Sequence, residues 1–139
     1  MATSGSKTVA VTSWNDLVFS WSVTSQSIEN NTSTISWSLK LVAGSSGRIS
    51  SDVYKNCSVV VNGTTYTGKA SINISSNTTR TLLTGTTVIP HGEDGTKTFN
   101  YSFSQEFAIY FSDTYIGTKT GSGTGTLDTI RRLSTMTIT

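Results

Sequence analysis

The chain has 139 residues, a net charge of +2 and only 13% charged residues, about half the usual share of roughly 25%. No basic cluster exceeds Arg131-Arg132, which removes the electrostatic footprint of a nucleic-acid binder. The lone Cys57 allows no internal disulfide and reads as a small buried hydrophobe, and no run of about 18 apolar residues is present to cross a membrane as a helix.

Hydroxyls take the place of charges: 26 Thr and 23 Ser make up 49 of the 139 residues. The branched Cβ of Thr suits a pleated strand, and apolar residues recur with period two, so the chain reads as all-β. Residues 1–6 are polar and read as a flexible N-terminus, and residues 7–130 as one β-sandwich domain. Leu17, Phe19, Trp21 and Val23 alternate with Val18, Ser20, Ser22 and Thr24. Ile35, Trp37, Leu39 and Leu41 repeat the pattern after a polar loop over 25–33. These are the clearest strands, each with one apolar face. Asn62-Gly63 supplies the positive φ angles of a two-residue type I′ hairpin between 58–61 and 64–66.

A short strand is expected over 70–74, and two more over 78–83 and 86–89, separated near Gly85. Residues 90–95 form a turn. Phe99, Tyr101 and Phe103 share one face of the next strand, and Phe107, Ile109 and Phe111 one face of another. After a turn over 112–115, residues 116–127 close the domain. Nine or ten strands with regular turn signals and no helical period predict an antiparallel β-sandwich, with an immunoglobulin-like Greek key favoured over a jelly roll. Its interior is expected to hold Phe19, Trp21, Val23, Ile35, Trp37, Leu39, Val59, Val61, Phe99, Phe103, Ile109 and Phe111. Beyond residue 130, Arg131-Arg132 reads as a hinge and residues 133–139 as the first strand of a following module.

Four blocks in this order, 20–37 (SWSVTSQSIENNTSTISW), 61–66 (VNGTTY), 91–99 (HGEDGTKTF) and 121–130 (GSGTGTLDTI), resemble a family of tail-associated structural proteins of siphoviruses, the long-tailed phages of Gram-positive bacteria. The resemblance covers roughly residues 12–134. In that family the last block usually continues into a Pro-Arg linker and a further immunoglobulin-like module. Here Arg131-Arg132-Leu133 stands in place of Pro-Arg-Ala, without proline's fixed φ. The resemblance implies a virion component of the distal phage tail, made in the host cytoplasm, with attachment to the host surface as its task. Its expected partners are host cell-surface polysaccharide, other tail proteins or further domains of the same chain, and a homo-oligomer, with no nucleic acid and no membrane.

An enzyme is not expected. His91 is the only imidazole, so a His-rich zinc site is absent and no Gly-x-Ser-x-Gly elbow frames a triad. His91 reads as a turn residue bonded to nearby backbone. Glu93 and Asp94 suit a tight turn, whereas a Ca²⁺ site or a glycosidase pair would need a second carboxylate across a cleft. Neither metal nor cofactor is expected.

Sugar binding asks for exposed aromatic faces with hydrogen-bonding groups beside them. Trp21 and Trp37 belong to apolar faces. Trp14, Tyr54, Tyr110 and Tyr115 fall at turns or out of phase, with Asn15, Asp16 and Asp113 next to them. These seven are the candidate glycan contacts. The competing reading is a structural spacer of a tail fibre, whose edge these rings merely cover.

Overall fold

Alternation of bulky apolar and hydroxyl residues gives every strand one face to bury and one to leave in water. A computed structural model of the chain describes residues 3–51 and 53–131. Eight strands are seen among them: β1 (Ser4–Thr12), β2 (Asn15–Ser27), β3 (Thr32–Ala43), β4 (Tyr54–Val61), β5 (Thr64–Ser71), β6 (Thr79–Pro90), β7 (Lys97–Phe111) and β8 (Thr114–Leu127). They form two four-stranded sheets in the orders β1-β2-β3-β6 and β5-β4-β7-β8, antiparallel at every pairing. The expected antiparallel sandwich is therefore what the chain forms. The connections β3–β4, β5–β6 and β6–β7 pass from one sheet to the other.

Fewer strands appear than the pattern suggests, because two expected breaks do not occur. Gly85 lies inside β6, directly opposite Trp37. Phe107 to Phe111 continues β7 past a bulge between Glu106 and Ile109. Of the expected strand over 70–74, residues 70–71 end β5 and Ile74 makes an isolated bridge to Ile49. Residues 4–6 are not a loose terminus. They belong to β1 and pair with residues 20–22 of β2, a strand whose hydroxyl-rich start carries no apolar signal. Arg131 is exposed. The rest of the expected hinge and the strand over 133–139 lie outside the described residues.

The sheets meet through aromatic rings. Phe19 of β2 stacks on Tyr101 and Phe103 of β7, with ring centroids 4.7 and 5.6 Å apart, and Trp21 meets Phe99 edge-on at 5.1 Å. Such pairs contribute about 0.5–1.5 kcal/mol each beyond their buried area. Space for these rings comes from glycine. Gly5, Gly85, Gly125, Gly123 and Gly121 sit directly across from Trp21, Trp37, Phe99, Tyr101 and Phe103. A Cβ at Gly85 would stand 2.6 Å from the Trp37 ring, and one at Gly123 would stand 2.5 Å from the Tyr101 hydroxyl. The alternating glycines of the 121–125 run thus let β7 rings lie flat over an outer strand, a known way of accommodating strand glycine. Of the expected interior, Val23, Ile109 and Phe111 are only partly buried, and the rest is core.

Both outer faces carry hydroxyls in ranks across the strands. Ser6, Ser20, Ser38 and Thr84 form one such rank, and Thr67, Ser58, Ser104 and Thr120 another. Cross-strand bonds such as Ser20–Ser38 at 3.3 Å and Ser58–Ser104 at 2.9 Å satisfy part of this surface.

Candidate functional site

Thr12 begins the construction of one end of the sandwich. The β1–β2 hairpin closes on Ser13-Trp14. The Thr12 hydroxyl oxygen accepts the Trp14 N–H at 3.0 Å while its own proton goes to Asn15 Oδ1 at 2.7 Å. Asn15 Nδ2 donates to the Gly47 carbonyl at 2.7 Å, and the Gly44 N–H donates to the Trp14 carbonyl at 2.7 Å. Gly47 has to be glycine, because a Cβ there would lie 2.6 Å from the Trp14 oxygen. The backbone of Trp14 is held from two sides while its indole remains 47% exposed.

The β7–β8 hairpin supplies the facing wall. Tyr110 and Tyr115 are paired in register, with rings 5.3 Å apart and tilted by 63°. The turn residues Ser112 and Asp113 both have positive φ, 47° and 69°, the type I′ geometry that Asn-Gly adopts with least strain. Non-glycine residues held there cost free energy. Between the two hairpins lies an open cleft of about 340 Å³. Its apolar side is Val11, Phe111 and Ile116, its aromatic rim is Trp14 and Tyr115, and its polar groups are Thr12, Ser13, Ser112, Thr114 and Lys119.

The sequence-derived candidates divide on this geometry. Trp14 and Tyr115 line the cleft, and Tyr110 packs on Tyr115. Asp113 is exposed at the hairpin tip, outside the lining. Asp16 is exposed beside Ala10 and Val42, and Tyr54 is exposed where β4 begins, paired with Ser71. Neither lines the cleft. Asn15 requires a correction: at 1% exposure, with its amide spent on Gly47 and Thr12, it holds the loop and is not offered to a ligand.

Lys119 and the small hydroxyls escaped the sequence reading. Lys119 pairs with the buried Gln105, so it occupies an inward position of β8. Counting back by twos from Leu127 through Gly125, Gly123 and Gly121 would have placed a charge where an apolar residue belongs.

His91 is buried at the opposite end. Gly95 oxygen can only accept, so Nδ1 donates to it at 2.7 Å, and Nε2 shares a hydrogen bond with the Ser33 hydroxyl at 2.6 Å. Gly95 oxygen also accepts the Ile130 N–H at 2.9 Å, so His91 steadies the point where the chain leaves β8. Asp94 accepts from the Thr96 hydroxyl at 2.7 Å and from its N–H at 3.0 Å. The hydroxyl first, and then the N–H, holds its carboxyl below the ordinary value of 3.8. Burial pushes the Cys57 thiol up, away from reactivity. Among the described residues no three His, Cys, Asp or Glu side chains gather in a way that could hold a metal ion.

Compared with known proteins, the chain matches no family model, no curated protein and no solved structure.

Proposed function

We propose that this chain is a non-catalytic binding module of a phage tail, and that its end cleft takes a sugar unit of a host cell-surface polysaccharide. The observation that carries the reading is the cleft itself. Two hairpins from different sheets present Trp14 and Tyr115 around an apolar floor with hydroxyls at the rim. A pyranose ring stacks its C–H face on such rings and bonds its hydroxyls to such a rim. The anchoring of the Trp14 backbone through Thr12, Asn15, Gly44 and Gly47 supports it further, since a loop fixed beforehand has less freedom to lose on binding. The strained Ser112-Asp113 turn points the same way, because backbone strain gathers at ligand clamps.

The phage setting rests on the four sequence blocks. The two antiparallel four-stranded sheets, β1-β2-β3-β6 and β5-β4-β7-β8, suit a β-sandwich module of such a tail. A cosedimentation assay with cell-wall polysaccharide of a Gram-positive host tests the reading. The chain is expected to pellet with the polymer, and Trp14→Ala to stay in solution while keeping its fold. Equal pelleting of both, or of neither, contradicts it.

The spacer reading has its own observation, the clamp of Ile130 on Gly95, which gives the exit of the chain a fixed direction. Unchanged adsorption of phage carrying Trp14→Ala, together with a shortened fibre on deletion of the domain, would select it.

A further inference from the structure

Lys119 is the one charged residue in the lining of the cleft. Its register partner Gln105 is fully buried, and Lys119 itself is half-buried on β8, which contacts β1, and lines the cleft with Val11 and Thr12 of β1. Among the described residues its side chain has neither an ion pair nor a hydrogen bond. Asp113, on the turn of the same hairpin, does not pair with it. A part-buried lysine whose ammonium has no acceptor among the described residues is free to meet an anion that enters the cleft.

Resting on the reading of the cleft as a sugar site, we infer that Lys119 makes it selective for a sugar that carries an anionic group, a carboxylate or a phosphate. The ring lies against Trp14 and Tyr115, and the anion meets the ammonium of Lys119, which lines the same cleft. Charge complementarity favours this occupant over a neutral sugar. The aromatic rim favours it over a bare anion, which has no face to stack. A structural role competes with this one, since an inward-pointing charge on an edge strand also discourages pairing with a second chain. That role predicts self-association when Lys119 is neutralised, and no change in ligand preference.

Three sugars with the same ring, differing only at C6, separate the outcomes: methyl glucoside, methyl glucuronide and methyl glucoside 6-phosphate. Each is titrated into the chain while the Trp14 indole N–H is followed by NMR. Both anionic sugars should bind about tenfold or more tightly than the glucoside, with the advantage shrinking as salt rises. The two anionic arms tell carboxylate from phosphate. Lys119→Met should bring all three to the glucoside's affinity, and Lys119→Arg should keep the preference. Equal affinities in the native chain, or a preference that survives Lys119→Met, overturn the role of Lys119 while the sugar site stands. Inorganic phosphate binding as tightly as methyl glucoside 6-phosphate overturns it as well. If none of the three sugars shifts Trp14 at about 50 mM, a level that would register even weak binding, the sugar site falls and the selectivity with it.

Discussion

The side-chain amide of Asn15 reaches 32 residues along the chain to donate to the carbonyl of Gly47 at 2.7 Å. It does so from a site that is 1% exposed, while the next residue back, Trp14, stands half in water. One residue is spent on holding the turn so that its neighbour can be presented.

Asn15→Ala removes this bond and the one from Thr12, and leaves the Gly47 carbonyl without its donor. The loss should be about 1–3 kcal/mol, read from urea denaturation. An unchanged midpoint would mean that the loop does not depend on Asn15.

Gly85→Ala places a methyl group against the Trp37 ring. Overpacking of this kind costs about 1–3 kcal/mol, and the Trp37 indole bond to Thr87, 3.1 Å long, should weaken with it. Thermal unfolding checks the first point and the indole N–H resonance the second. A Gly85→Ala chain as stable as the native one would show that β6 can move away from the ring.

Replacing Ser112-Asp113 by Asn-Gly keeps the type I′ turn and relieves its positive φ angles. Stability should rise by about 1 kcal/mol, measured by chemical denaturation. A fall would mean that the serine and aspartate side chains hold the hairpin in a way their backbone angles do not reveal.

Asp94 has a depressed carboxyl in the folded chain. Its contribution to stability is therefore present above the ordinary value of 3.8 and is lost as pH falls through the lower folded value. Thr96→Val removes the hydroxyl donor, so the Asp94 titration followed by NMR should move up toward 3.8. A titration that does not move would give the whole effect to the Thr96 N–H.

The sandwich was legible in the sequence because Phe19, Trp21, Ile35 and Trp37 alternate with serine, and that alternation is a direct image of one buried and one wet face. β1 was not legible, since Ser4, Gly5 and Ser6 bury little and owe their strand to Trp21 lying over Gly5. Gly85 misled for the same reason: glycine reads as a break until its cross-strand partner is known. At the cleft, Trp14 and Tyr115 stood out as aromatics at turns. Asn15 stood out for its type, and only a contact 32 residues away shows that it is structural. Lys119 was hidden because its meaning depends on which way β8 faces and on the meeting of two hairpins distant in sequence.

The most direct measurement is an NMR map of binding to purified wall polysaccharide fragments from a Gram-positive host, recorded over every backbone and indole N–H. The account predicts shifts concentrated on Trp14, Tyr110, Tyr115 and Lys119, at one end of the sandwich. Shifts spread over the hydroxyl ranks of the outer faces instead, or no shifts at all, would contradict it.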